Sequence, residues 1–377
     1  MKRFFLSLQY KPKRDPNHEP QLVEKIEEKI ERRGAGIQVQ ESYLLRNDYF
    51  EVRIDTKTGE MRSITTPTIR GTRFAHLLAF RSPAEERKND GRNESSPNYG
   101  YTISCADAFE ILSAGPVVGK LKVTGRLMRQ DGTLAANFVE IFTIKRFTHV
   151  LELEIEIDPI LEPGDTPWDS YYAARFAWTD AIDAVRGGVQ SGAYSMNLHQ
   201  LQTPEFVDLR SDTGTESFTI LTGGLPYHRQ FDSNRIDTIL IPQGEKTRKF
   251  RLGIAVDVPQ PVYAAQDFLL SDLQATGMIP VPKNPFAWLF NVTAKNILVL
   301  RMEPLFEKDN TISGLRVILL ETENRKTAFS FRSFLPITKA FKTDLLRTPG
   351  EECTITDGER VRLEMHGREM LPIEIVF

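Results

Sequence analysis

Leu151-Glu152-Leu153-Glu154-Ile155-Glu156-Ile157-Asp158 alternates apolar and acidic residues over its whole length. In an extended chain successive side chains point to opposite faces, so the leucines and isoleucines share one face and the carboxylates the other. A helix would scatter both kinds around its surface. The stretch reads as a strand half buried on a core. Neighbouring carboxyls on its polar face stand about 7 Å apart by strand rise, a separation also found in the paired acids of glycosidases. Those pairs flank a sugar from two sides, whereas a row on one strand is a solvated face, and that is the reading adopted.

Working outward, the same period recurs. Gly119-Lys120-Leu121-Lys122-Val123-Thr124-Gly125-Arg126-Leu127 alternates, turns at Asp131-Gly132 and returns from Phe138 to Ile144. Phe50, Val52 and Ile54 alternate with Glu51, Arg53 and Asp55, and Lys57-Thr58-Gly59 supplies a hairpin turn. Arg81 to Pro97 has no apolar period and eight charges, which predicts a solvated loop. Val258-Pro259-Gln260-Pro261 and Val281-Pro282-Lys283-Asn284-Pro285 bracket a weakly patterned boundary. Beyond it, Ile297–Leu300, Leu315–Leu320 and Leu371–Phe377 read as strands of a smaller sandwich. The one helical signal is Leu22, Ile26 and Ile30, spaced by four and closed by Gly34 and Gly36. The expected organisation is mainly β: an N-terminal linker with an amphipathic helix (1–40), a large antiparallel β unit (41–270) and a small C-terminal β-sandwich (271–377).

The 377 residues, at roughly 150 per domain, imply more than one packed unit. With 48 basic against 51 acidic residues the net charge is -3, and no electrostatic footprint for nucleic acid or anionic membrane stands out. Cys105 and Cys353 fit no metal or disulfide spacing and read as free thiols. The apolar run after Met1 stops at Gln9, too soon for a secretory leader, and no spanning helix is encoded, so a soluble cytoplasmic protein is expected. Self-association is left open.

Phosphate-loop, dinucleotide-fingerprint, HExxH and GxSxG motifs are all missing. The histidines at 18, 76, 149, 199, 228 and 366 are scattered, which argues against a metal cage of local spacing. The richest stretch is Trp168-Asp169-Ser170-Tyr171-Tyr172-Ala173-Ala174-Arg175-Phe176-Ala177-Trp178-Thr179. If extended, Trp168, Tyr172, Phe176 and Trp178 face the core, while Asp169, Tyr171, Arg175 and Thr179 face the other way. An aromatic ring, a carboxylate and a guanidinium together suit stacking on sugar rings and forked hydrogen bonding to hydroxyls. Tyr227-His228-Arg229-Gln230-Phe231-Asp232-Ser233-Asn234-Arg235, after Gly223-Gly224, projects polar groups from a loop. The candidate substrate-binding residues are therefore Asp169, Tyr171, Arg175, His228, Arg229 and Arg235, against the alternatives of a buried structural arginine and an ordinary surface turn. His76 and His199 read as structural histidines.

Several of these pieces resemble the C-terminal β region of glycoside hydrolase family 38, the retaining α-mannosidases. Asn47-Asp48-Tyr49-Phe50-Glu51-Val52-Arg53-Ile54-Asp55 looks like its first strand and hairpin. Tyr227-His228-Arg229 with Asp232 and Arg235 is similar to its His-Arg-Arg stretch, with Gln230 replacing the second arginine. Glu321-Thr322-Glu323-Asn324 and Leu371-Pro372-Ile373-Glu374-Ile375 look like its terminal E-x-x-G and P-x-E-I strands, with Asn324 where glycine is usual. The resemblance covers roughly 41 to 377.

What it implies is a β-supersandwich of the galactose-mutarotase type followed by a smaller sandwich. In that family the zinc ligands and the aspartate nucleophile belong to an N-terminal α/β barrel, which the 40 residues before the first matching strand cannot form. The expectation is a carbohydrate-binding accessory module, with no catalytic residue, metal or cofactor in this chain and with zinc only in a separate or upstream catalytic domain. The alternative is a stand-alone mutarotase-like epimerase or lyase using His199 or His228 with Glu205.

Overall fold

The computed structural model describes residues 21–32, 36–66, 74–83, 99–178, 184–197, 199–210, 217–232, 234–270 and 289–377. The expected charged loop lies outside them from residue 84, while Arg81–Pro83 complete the strand Phe74–Pro83. Thr179 and Val281–Pro285 also lie outside. Two units emerge, one of Met1–Gly187 with Ser195–Pro259 and one of Gly188–Tyr194 with Gln260–Phe377. No described helix is long and apolar enough to cross a membrane.

The deciding stretch forms the strand Val150–Pro159, between Leu134–Lys145 and Lys249–Val256 in a nine-stranded antiparallel sheet. Leu151, Leu153, Ile155 and Ile157 are buried in a core shared with Phe50, Val52, Ile54, Phe80, Tyr172 and Phe176 of a second, ten-stranded sheet. Full burial of each such side chain contributes about 1.5–3 kcal/mol, which fixes the register, since a one-residue slip would carry all four to the outer face. The acidic row faces out. Glu152 pairs with Lys145 and Arg251, Glu154 with Lys120 and Glu156 with Lys249. These are cross-strand ion pairs of a solvated face.

The ten-stranded sheet carries Phe74–Pro83, Tyr171–Trp178, Arg235–Ile241, Tyr227–Asp232 and Gln200–Gln202 side by side, with Tyr99–Tyr101 added beside Phe74–Pro83. Its other edge corrects the expected N-terminal helix. Val23–Arg32 is a strand paired antiparallel with Gly36–Arg46, from Val23 opposite Leu45 to Arg32 opposite Gly36. A spacing of four is also a multiple of two, so such an apolar repeat fits a strand as readily as a helix. Pairing with Gly36–Arg46, together with the Lys25–Glu41 and Arg46–Glu24 ion pairs, decides for the strand.

The helix Pro261–Leu270 falls in the weakly patterned boundary; Pro261 suits the first helical position, and Val262, Ala265 and Phe268 are its buried stripe. The second unit has a five-stranded and a four-stranded antiparallel sheet around Ile297, Val317, Leu319, Phe331, Val361, Met365, Ile373 and Ile375. It is the smaller sandwich that the alternation predicts.

Candidate functional site

The strand Tyr171–Trp178 has two unlike faces. Tyr172, Ala174, Phe176 and Trp178 enter the core between the sheets. Tyr171 and Ala173 join Ile239 and Trp168 on the opposite, outer face. Trp168 thus lies opposite to expectation, because it precedes the strand in a turn where Asp169 N and Ser170 N donate to Thr166 O, and alternation does not extend through a turn.

Asp237 is the centre of this outer face. It is fully buried, opposite Arg175 on one side and Arg229 on the other. Its Oδ1 lies 2.9 Å from Nε of Arg175, and its Oδ2 accepts hydrogen bonds from the hydroxyls of Tyr101 and Tyr171, each at 3.0 Å. Burial pushes the Asp237 carboxyl above the usual carboxylate range, against the pull of Arg175 and the two tyrosines. Burial and the neighbouring carboxylate push both phenols upward, so they stay protonated and act as donors.

Around this centre two more arginines gather. Nη1 of Arg81 donates to Tyr101 Oη at 3.1 Å, and its Nη2 lies 3.7 Å from Asp169. Nη1 of Arg229 donates to Asp169 Oδ1 at 2.6 Å and also to the carbonyl of Trp168. The guanidinium carbons of Arg81, Arg175 and Arg229 lie 4.7, 5.6 and 5.0 Å from the centre of the Phe231 ring, and that of Arg175 lies 3.5 Å over Tyr101. Trp168 meets Tyr227 edge to face at 5.7 Å, and Tyr227 is exposed. The arrangement offers guanidinium donors on an aromatic floor beside an exposed aromatic rim.

Four of the residues read from sequence, Asp169, Tyr171, Arg175 and Arg229, therefore come together, and Asp169 and Arg175, too far apart to pair along one strand, take different partners. Arg235 is exposed on the same strand face as Asp237, two residues away. His228 is the correction. Strand alternation turns it away from Arg229 into the interior, where its Nδ1 meets Thr238 Oγ1 and its Nε2 meets Thr203 O, each at 3.0 Å. With both ring nitrogens engaged it is a structural histidine and cannot serve as the acid or base of the epimerase alternative. His199 is exposed rather than structural. His76 is buried as expected, with Nε2 2.7 Å from Glu140 and its ring stacked on Phe176.

Burial holds the His228 ring at about 4, below its ordinary 6.5. The unfolded chain therefore binds this proton first, and native stability falls as pH drops from about 6.5 to about 4. Between pH 7 and 4.5 this group should cost about 2 to 3 kcal/mol. Urea denaturation of His228→Gln at both values should show a pH dependence smaller by that amount; an unchanged dependence would assign it to other groups.

No protein-family profile and no curated protein matches the sequence. Solved structures do. An alpha-mannosidase from Enterococcus faecalis V583 superimposes with a TM-score of 0.64 at 11% identity, covering 94% of this chain and 49% of that one. A protein in the Glycosyl Hydrolase Family 38 from Enterococcus faecalis gives 0.63 at 11%, covering 95% and 51%. The chain shares their fold. It spans about half the length of each.

Asp237, Arg81, Tyr101 and Phe231 are the members of this cluster that sequence reasoning missed. The available signal was Asp237 itself, a lone carboxylate inside Ile236-Asp237-Thr238-Ile239-Leu240-Ile241, where an ionised side chain needs a partner. Among the described residues no three His, Cys, Asp or Glu side chains gather as a metal-ligand set.

Proposed function

We propose that this chain is the accessory, carbohydrate-binding β region of a family 38-type α-mannosidase, with sugar held on the outer face of the ten-stranded sheet. The zinc and acid nucleophile of such an enzyme would come from a separate or upstream barrel. What carries the reading is the Asp237-centred group, in which guanidiniums and aromatic rings converge on one sheet face beside Tyr227. The fold shared with the two Enterococcus proteins supports it. Asp169, Tyr171 and Asp237 would orient the arginines, Arg175 and Arg229 would reach sugar oxygens, and Tyr227 with Trp168 would stack on a ring.

Calorimetric titration of the full chain with methyl α-mannoside should give weak, millimolar binding. Tyr227→Ala, a change at an exposed ring, should weaken it about tenfold, the loss of roughly 1.4 kcal/mol of stacking. No heat at high millimolar sugar would refute the binding role. An aryl α-mannoside with added zinc should not be turned over by the chain alone; zinc-dependent turnover would refute the accessory role.

A further inference from the structure

We propose that the outer-face site takes a sugar bearing an acidic group, a carboxylate or a phosphate, with Arg175 and Arg229 as its anion contacts. This rests on the carbohydrate reading above and names the ligand class of the same surface. The argument is an inventory of donors and acceptors. Asp237 is fully buried, with Oδ1 facing Arg175 and Oδ2 accepting from two tyrosines. Asp169 Oδ1 accepts from Arg229 and faces Arg81. Asp237 thus acts wholly inside the cluster, and Asp169 Oδ1 supports two of its arginines.

Donor capacity is left over. Among the described residues Arg175 makes its polar contact through Nε and Arg229 through Nη1, so the two terminal amino groups of Arg175 and Nη2 of Arg229 carry no hydrogen bond. None of these nitrogens belongs to the buried unsatisfied set, and the two side chains keep 14% and 21% of their surface, so the donors reach solvent. Both guanidiniums lie within 6 Å of the Phe231 ring centre, which gathers them on one floor. Ring contacts and the Asp pairs hold them in place before a ligand arrives, lowering the entropic cost of binding. Arg235 adds a further positive charge on that face.

A neutral sugar hydroxyl is both donor and acceptor and is best met by both kinds of group. A carboxylate or phosphate accepts only, and forked guanidinium donors match it with charge-assisted bonds roughly twice as strong as neutral ones. A donor-rich surface beside an aromatic rim therefore fits an acidic sugar better than a neutral one.

The test is titration of the full chain with methyl α-mannoside, glucuronate, mannose 6-phosphate and inorganic phosphate. At least one of the two acidic sugars should bind about tenfold or more tightly than the neutral glycoside, more weakly as salt rises, and more tightly than inorganic phosphate. Arg229→Gln should abolish the preference, weakening the acidic sugars about tenfold and the neutral glycoside by less. Should that variant misfold by circular dichroism, Arg175→Lys, which keeps a cation opposite Asp237 but removes the fork, decides instead. Equal binding of neutral and acidic sugars would overturn the proposal and leave the carbohydrate reading standing. Inorganic phosphate binding as tightly as both acidic sugars would overturn it as a simple anion site. No binding of any sugar would remove both readings.

Discussion

Asp237→Ala is expected to destabilise the first unit by about 3 to 5 kcal/mol, the range for removing one partner of a buried ion pair. The carboxylate lies opposite Arg175 and accepts from the hydroxyls of Tyr101 and Tyr171, and Tyr171 is itself fully buried, so its hydroxyl would lose that acceptor without gaining water. Asp237→Asn keeps the shape and one acceptor oxygen but turns an amide donor toward a cation or a phenol, and should cost less than alanine. Urea denaturation followed by tryptophan fluorescence is a suitable readout, because Trp168 and Trp178 lie at either end of the adjoining strand segment. A loss below 1 kcal/mol for the alanine variant would mean that the cluster is not held by its carboxylate.

The pH dependence at Asp237 has a definite sign. Native Asp237 keeps its proton to higher pH than the unfolded carboxyl, so its contribution favours the native state below the unfolded value near 3.9 and is lost as pH rises through the raised native value. At neutral pH the ionised group depends on Arg175 and the two tyrosines. The deficit of Asp237→Asn should therefore be smaller at pH 7 than at pH 4. The site's polar side chains thus serve first to hold one another, and only the arginine donors at the surface remain for a ligand.

The sheet architecture is legible because amphipathic strands write their buried face into a period of two. Leu151 to Asp158 needs no tertiary information, and Ile297, Leu315 to Leu320 and Leu371 to Phe377 need little. The misread N-terminal strand shows the limit: a spacing of four satisfies both periods, and only pairing with Gly36–Arg46 removes the ambiguity. The site is legible in halves. Tyr171, Arg175, Asp169 and Arg229 carry local signals of aromatic, acidic and basic residues among small ones. Arg81 and Asp237 lie 156 positions apart and meet through Tyr101, a contact that cross-strand order alone creates. His228 was misplaced because its composition matches its neighbour Arg229, whereas adjacent residues of a strand face opposite ways.

Glu321→Ala is expected to cost the second unit about 3 kcal/mol. This glutamate stands at the end of the strand Ile312–Glu321, almost wholly buried, and acts as an acceptor hub. Oε1 accepts from Asn296 Nδ2 at 2.8 Å and from Glu323 N at 2.9 Å; Oε2 accepts from Arg325 N at 3.2 Å and Arg368 N at 2.8 Å. Alanine would leave these donors to be met by water or not at all, at about 1 to 3 kcal/mol for each one left buried. The turn they hold also explains two residue choices. Asn324 adopts φ 57°, the left-handed region that asparagine tolerates better than most residues, and a Cβ on Gly367 would come within 2.7 Å of Asn324 Oδ1. Burial alone would push the Glu321 carboxyl up, but the four donated hydrogen bonds outweigh it and hold it below the usual glutamate range. Its stabilising contribution is therefore present above the unfolded value near 4.3 and lost as pH falls through the native one. Hydrogen exchange on peptides spanning 313–325 and 361–369 isolates this unit. Loss of about 3 kcal/mol would lower protection there roughly a hundredfold. Glu321→Gln, which presents an amide donor to a ring of donors, should fall between wild type and alanine and should not show the further loss below about pH 4.3 that wild type shows. Unchanged protection in both variants would show that the strands, rather than this carboxylate, hold the turn.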